Sequence, residues 1–187
     1  MEYGLNFNMD HTEFIVEIKN IIDPKLIKKL ISLINKKAVK NLTVGLNRVD
    51  KKVRNVKGYN LNSVKDKKHM EYIVKEIERL YIYYKAKFPK VVCFNVNQID
   101  LLKYSINGKY EVHIDSYKTK RNLSVIMNLN NEYKGGELIF TDQKDNEIKK
   151  LKLSKGSIVF FPSNFMYPHK IAPITKGTRY SVVAWLE

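Results

Sequence analysis

Glu137-Leu-Ile-Phe-Thr-Asp-Gln-Lys-Asp-Asn-Glu-Ile-Lys-Lys-Leu-Lys-Leu-Ser-Lys-Gly-Ser-Ile-Val-Phe-Phe161 decides the fold. It holds three short apolar or alternating runs, Glu137–Thr141, Ile148–Leu153 and Ser157–Phe161, cut by the turn signals Asp145-Asn146 and Lys155-Gly156. Runs of this length bounded by such dipeptides are strands joined by tight turns. The pattern continues in both directions. Strands are expected at Val91–Asn95, Gln98–Tyr104, Tyr110–Asp115, Leu123–Leu129, His169–Ile174 and Arg179–Leu186, with further turns at Asn107-Gly108, Gly135-Gly136 and Lys176-Gly177. Many short strands without intervening helices indicate a sandwich or jelly roll.

Upstream the periodicity changes. Glu13–Lys19 reads as a short strand, and Asp23-Pro24 supplies an N-cap with proline at the first helical position. Leu26, Ile27, Leu30, Ile31, Leu33 and Ile34 then recur at helical spacing with lysines on the other side, which predicts an amphipathic helix packed on the sheet. A second helix is expected from about Asp66 to Phe88, with Met70, Ile73, Ile77, Leu80 and Tyr84 on one face and the cluster Tyr81, Tyr83 and Tyr84 covering the sheet. Between the helices, residues 38–66 show no sustained periodicity. A connection this long is often functional, so it is taken as a substrate loop, with Arg48, Arg54 and Tyr59 as its candidate members and solvated positions as the ordinary alternative. Residues 116–121 are a second loop that bears on substrate choice. The expected architecture is mainly β (α+β): a double-stranded β-helix, or jelly roll, over about 91–187 with helical support over about 1–90, in a single domain spanning 1–187.

The 187 residues suffice for one domain with a substantial core. No apolar run is long enough to span a membrane, and Met1–Asp10 has neither a basic start nor a continuous apolar stretch, which argues against a secretory signal. The one cysteine, Cys93, cannot form an internal disulfide and reads as a small core residue on an apolar strand, so a cytoplasmic setting is expected. A net charge of +15, mostly from dispersed lysines, would attract nucleic acid or a dianionic co-substrate. The dispersal, together with abundant Asn, Ile and Tyr, weighs composition above a nucleic-acid footprint.

The chemistry concentrates in the second half. His113 and Asp115, two apart on one predicted strand, can point to the same face and reach one cation. Such pairs are common by chance. Of the four histidines, His11 lies in an N-terminal stretch and His69 on the polar side of a helix, whereas His169 opens a strand after Phe160–Pro168 and can complete the set. Two histidines and one carboxylate on one face of an octahedral ion leave positions open, as in non-haem Fe(II) oxygenases. Arg179 can pair with a carboxylate, Ser181 faces the same way two residues on, and Tyr104 can add a phenol donor. Each has an ordinary alternative: a surface charge, a neutral strand residue and a core aromatic.

These residues, with Leu101–Asp115, Leu123–Asn130, Tyr133–Leu138, Gly156–Pro162 and His169–Trp185, resemble the Fe(II)- and 2-oxoglutarate-dependent dioxygenases, in particular the prolyl 4-hydroxylase-like branch. The resemblance implies that His113, Asp115 and His169 bind iron. Arg179, ten positions after the distal histidine, and Tyr104, nine before the first, would hold the far carboxylate of 2-oxoglutarate. The stretch Val53-Arg-Asn55 resembles the family's substrate loop. Implied cofactors are Fe(II), 2-oxoglutarate and O2, with ascorbate as an auxiliary reductant. The implied activity is hydroxylation of an amino-acid side chain, a prolyl residue of a peptide or protein, with release of succinate and CO2. Collagen-type members usually carry lysine at the position of Arg179, which sets this chain apart from them, while Asp115 favours hydroxylation over halogenation. The competing readings are a nucleic-acid base demethylase of the same fold, motivated by charge, and a catalytically silent β-sandwich binding module. Oligomeric state and the target residue are open at this stage.

Overall fold

The computed structural model describes residues 11–37, 40–43, 48–62, 67–93, 95–116 and 120–187. Met1–Asp10, the expected helix start at Asp66, and parts of the loops 38–66 and 116–121 lie outside the described residues. The elements run in the order β1 (Val16–Ile18), α1 (Pro24–Lys36), β2 (Lys40–Asn41), β3 (Arg54–Asn55), β4 (Lys57–Asn60), α2 (Lys67–Lys87), β5 (Val96–Tyr104), β6 (Lys109–His113) and β7 (Leu123–Asn128). They continue with β8 (Tyr133–Gly135), β9 (Leu138–Thr141), β10 (Glu147–Leu151), β11 (Ile158–Pro162), β12 (His169–Ile171), β13 (Ile174–Gly177) and β14 (Arg179–Leu186).

Two antiparallel sheets carry the fold, one ordered β1-β11-β7-β14-β5-β4-β2 and the other β10-β9-β12-β6-β3; β13 and β8 form a separate two-stranded ribbon. Strand alternation sorts side chains between two cores. Ile99, Leu101, Leu123, Val125, Met127, Phe160, Val182 and Ala184 face the helices, whereas Leu102, Tyr104, Ile126, Val159 and Phe161 belong to the core shared with Leu138, Phe140 and Ile171 of the smaller sheet. The double-stranded β-helix with helical support is thus observed.

The first helix forms as its sequence dictates. The Asp23 side chain accepts from the Lys25 amide at 2.8 Å, and Leu26, Ile27, Leu30, Leu33 and Ile34 are buried. A cap of this kind contributes about 1 kcal/mol. Ile73, Ile77, Leu80 and Tyr84 of α2 are buried as expected, but Tyr83 is exposed and does not cover the sheet.

Four strand expectations are corrected. Residues 13–14 belong to a 3-10 turn, His11–Phe14, so only Val16–Ile18 pairs, with β11. Among the described residues of 91–95 there is no strand: this stretch leaves α2 through a turn at Pro89-Lys90, Tyr81 hydroxyl donates to the Val91 carbonyl, and Cys93 packs half-buried at the helix-side core off any strand. His169–Ile174 is not one strand. Pro173 brings no amide for pairing, its carbonyl accepts from Gly136, and the chain passes from the smaller sheet into the ribbon. Finally, the segment 38–66 is not structureless: β3 adds to β6, and β4 adds to β5.

Gly177 shows why the chain must narrow before β14. At φ +76° a Cβ there would lie 2.2 Å from the Glu132 carbonyl oxygen, so only glycine lets the ribbon close where β14 begins.

Candidate active site

Register places the candidate residues opposite one another. His169 on β12 is the direct partner of His113 on β6, and Arg179 on β14 is the direct partner of Tyr104 on β5. Both pairs line one cavity between the sheets, with Asp115, Arg54, Tyr110 and Trp185.

The histidine tautomers follow from their backbone partners. Nδ1 of His113 lies 2.9 Å from the Glu111 carbonyl, and Nδ1 of His169 lies 3.1 Å from the Tyr167 carbonyl. A carbonyl only accepts, so each Nδ1 carries the proton and each Nε2 presents its lone pair. Both Nε2 atoms meet Asp115: His113 at 3.6 Å from Oδ1 and His169 at 3.7 Å from Oδ2. One ligand atom from each of the three residues falls within 4.8 Å of the others. Tyr110 stacks on His113 with ring centroids 3.6 Å apart, and Phe161 meets His169 edge-on at 4.8 Å, so both rings are held from behind.

Asp115 is not on the strand with His113, contrary to the expectation; β6 ends at His113 and Asp115 sits in the bend that follows. Its backbone carbonyl accepts from Arg121 at 3.2 Å, and its Oδ2 accepts from the Ser124 hydroxyl at 2.7 Å. These contacts, instead of strand alternation, return the carboxylate to the histidines. Burial pushes the Asp115 carboxyl up, but His169, His113 and Ser124 reverse this and hold it well below the usual carboxylate range. Burial, with His113 nearby, pushes His169 down to about 4 against the opposing effect of Asp115. At neutral pH the cluster therefore offers an ionised carboxylate and an unprotonated His169, a donor set that suits a divalent transition metal without first losing protons.

On the opposite wall Arg179 is 1% exposed. Its Nε donates to Asn128 Oδ1 at 3.3 Å and its guanidinium lies 5.4 Å from the centre of the Tyr104 ring, but Nη2 is buried with no hydrogen-bond partner. Ser181, between Leu102 and Asn128 in register, is fully buried and its hydroxyl also lacks a partner. A buried guanidinium with an unpaired nitrogen is costly and fits a site that receives an anionic ligand, whereas the orphaned Ser181 hydroxyl lies outside the residues that line the cavity. Asn128 and Tyr133 were not among the expected residues. Tyr133 hydroxyl donates to the same Asn128 oxygen at 3.0 Å, and Asn128 Nδ2 donates to the carbonyls of Asn130 and Leu153, so the asparagine is a fixed bracket for the arginine. A polar residue inside the otherwise apolar run Leu123–Leu129 was the available signal, and the same applies to Ser124.

The substrate-loop residues separate. Arg54 reaches the cavity: β3 pairs it with Tyr110, its guanidinium lies 4.5 Å from that ring's centre, and Nη1 donates to the Thr43 carbonyl. Tyr59, in register with Leu101, packs toward the helices and its hydroxyl accepts from Lys37 at 3.2 Å, so it is not brought to the cavity. Arg48 forms an exposed pair with Asp50. His69 is exposed, as expected. Arg121 and Trp185 were missed: the guanidinium stacks 3.7 Å from the centre of the indole, whose buried Nε1 has no partner.

The sequence profile of the 2OG-Fe(II) oxygenase superfamily matches residues 99–187, the stretch that holds β5 to β14 and every residue of the candidate cluster. A PKHD-type hydroxylase of Rippkaea orientalis is 26% identical over 145 residues, covering 73% of this chain and 62% of that one. The chain thus spans less than two thirds of that relative's length. Among solved structures, a prolyl hydroxylase of Trichoplax adhaerens, in complex with a hypoxia inducible factor peptide fragment, superposes with a TM-score of 0.78 at 17% identity, covering 94% of this chain and 84% of that one. A Pseudomonas putida prolyl-4-hydroxylase gives 0.75 at 15% identity, covering 93% and 92%. At these identities the two structures speak to fold, and the fold they share is the double-stranded β-helix described above. Metal and co-substrate stand in the superfamily's own description, Fe(II) and 2-oxoglutarate, and O2 is implied with them. With the profile matching residues 99–187, the stretch that carries the cluster, and the prolyl hydroxylase fold around it, the chain is similar to the 2OG-Fe(II) oxygenase superfamily and resembles its prolyl 4-hydroxylase-like members.

Proposed function

We propose that this chain is a 2-oxoglutarate- and O2-dependent hydroxylase acting on a prolyl residue of a peptide or protein. The observation that carries the reading is one cavity with a His-Asp-His cluster on one wall and a buried guanidinium with an unpaired nitrogen on the other. His113, Asp115 and His169 would hold Fe(II), their two Nε2 atoms and one carboxylate leaving other coordination positions open. When bound, Fe(II) supplies the redox chemistry that couples decarboxylation of 2-oxoglutarate to succinate and CO2 with insertion of one oxygen atom of O2 into a substrate C–H bond.

The chain's own residues do the rest. Arg179, braced by Asn128, pairs with the far carboxylate of 2-oxoglutarate, and Tyr104 donates to the same group. Apolar neighbours such as Ile126, Ile171 and Val183 keep water from that end of the cavity, which strengthens the pairing. Of the lining, Arg54, Tyr110 and Trp185, with Arg121 stacked on the indole, would offer guanidinium, phenol and indole groups to a peptide. The similarity to PKHD-type hydroxylases, and to a prolyl hydroxylase structure in complex with a peptide fragment, supports a hydroxylase with a prolyl peptide substrate.

The experiment is anaerobic reconstitution with Fe(II) and 2-oxoglutarate, then exposure to O2 with proline-containing peptides and, in parallel, methylated oligonucleotides. Expected are succinate and a peptide product 16 mass units heavier. A demethylated oligonucleotide with unmodified peptides would replace the prolyl reading with base demethylation, and no succinate under any condition would leave a binding module.

A further inference from the structure

Asp115 is the one member of the His-Asp-His cluster that no strand orients. The side chain is 8% exposed, and what sets it is a pair of hydroxyls from the larger sheet. Ser124, on β7, donates to Asp115 Oδ2 at 2.7 Å, and Ser163, just beyond β11, lies 2.7 Å from Ser124 Oγ. Both serines are buried, at 0% and 1% exposure. Proton counting fixes the direction of the chain. An ionised carboxylate only accepts, so Ser124 commits its single proton to Asp115, and its oxygen must then accept from Ser163. Ser163 is itself held at both backbone atoms, its carbonyl accepting from the Ser116 amide at 2.9 Å and its amide donating to the Asn122 carbonyl at 3.0 Å. The Ser163 backbone is thereby tied to Ser116, next to Asp115, and to Asn122, two residues before Ser124.

We propose that Ser163 and Ser124 form a two-hydroxyl relay whose task is to position the Asp115 carboxylate for the metal, Ser163 acting only through Ser124. The proposal rests on the metal assignment above and deepens it. Neither serine reaches the cavity lining, so they are positioning residues and not catalytic ones.

The relay predicts a specific pattern. Partners that orient a ligand typically set metal affinity by about 10–100-fold, so Ser124→Ala should weaken binding by roughly tenfold or more. Ser163→Ala should weaken it by a smaller factor, because Ser124 keeps its bond to Asp115 but loses the donor that aims it. The double variant should match Ser124→Ala alone, and Ser124→Thr, which keeps the hydroxyl, should restore binding.

The test is anaerobic equilibrium titration with Co(II), followed by its visible absorption bands, on wild type and the four variants, with thermal melts of the metal-free proteins alongside. Weakened Co(II) binding in Ser124→Ala, rescued by Ser124→Thr and not compounded by Ser163→Ala, supports the relay. Losses that multiply in the double variant overturn it, as does a Ser124→Ala protein with a lowered melting temperature but wild-type Co(II) affinity. Should Ser124→Ala not fold, Ser163→Ala decides: unchanged affinity there overturns the relay. Wild-type protein that binds no Co(II) removes the metal assignment itself, which distinguishes failure of that reading from failure of the relay.

Discussion

Replacing Arg179 by methionine separates a co-substrate anchor from a structural arginine. The side chain is 1% exposed and Nη2 has no partner, so the metal-free, ligand-free protein holds a buried cation that is only partly compensated by Asn128 and the Tyr104 ring. Swapping a buried ionic group for an apolar side chain of similar length is often neutral or stabilising by about 1–4 kcal/mol. Asn128 would not be orphaned, since its Oδ1 still accepts from Tyr133 and its amide still donates to backbone carbonyls. Arg179→Met should therefore melt at or above the wild-type temperature. Binding moves the other way. Removing one partner of a buried charged pair costs about 3–5 kcal/mol, and at about 1.4 kcal/mol per decade the 2-oxoglutarate requirement should rise on the order of 10²–10³-fold. The assay is succinate formation against 2-oxoglutarate concentration at saturating Fe(II), paired with a thermal melt of the metal-free variant. A requirement within about threefold of wild type, or a variant that binds normally but melts far lower, would refute the assignment and make Arg179 a structural residue.

His113→Ala and Asp115→Ala should each abolish succinate production, and wild-type turnover in either removes the metal assignment. Arg54→Ala should raise the peptide requirement while leaving that for 2-oxoglutarate within about twofold, because at the shared cavity Arg54 is half-buried on an added edge strand and Arg179 is fully buried; a change in both alike counts against this division. Tyr59→Phe should leave turnover unchanged, since the ring faces the helices, and a loss of activity would place Tyr59 at the substrate after all. The metal-free protein should lose stability as pH falls from about 6.5 to about 4, because His169 is depressed in the folded state and the unfolded chain binds the extra proton first. The loss from this group is about 3 kcal/mol at most. Thermal melts across that interval, compared with His169→Phe, check it; equal slopes in both proteins would assign the acid sensitivity elsewhere.

How far the sequence could be read depended on how local the determining interaction was. Strands β9, β11 and β14 were legible because a turn signal precedes each buried run, β7 because its run is buried throughout, β10 because turn signals bracket it although none of its residues is buried, and α1 because Asp23, Pro24 and the apolar stripe act within one helix. The errors arose where a distant partner decides. Val91–Asn95 has the composition of a strand, but its described residues leave α2 through a turn and form none. Lys40–Asn41, Arg54–Asn55 and Lys57–Asn60 have the composition of a loop, yet β5 and β6 offer edges on which β4 and β3 pair, and β2 pairs on β4. His169–Ile174 reads as continuous until Pro173 hands the chain from one sheet to the ribbon.

The same distinction divides the site. His113 faces His169 and Arg179 faces Tyr104 because antiparallel register places them so, and that register follows from residues close to each strand. The metal and 2-oxoglutarate ends were thus readable as spacing. Asp115 lies two residues from His113 as the spacing suggests, but alternation on a strand is not what aims its carboxylate. Ser124 and Ser163 do this from another sheet, and Arg121 holds the bend from a third segment. The rest of the lining follows the second rule: Arg54 arrives on β3, Tyr110 on β6 and Trp185 on β14, with Arg121 stacked on the indole from a connection. These elements share no periodicity, so no spacing in the sequence announces that they meet at one cavity.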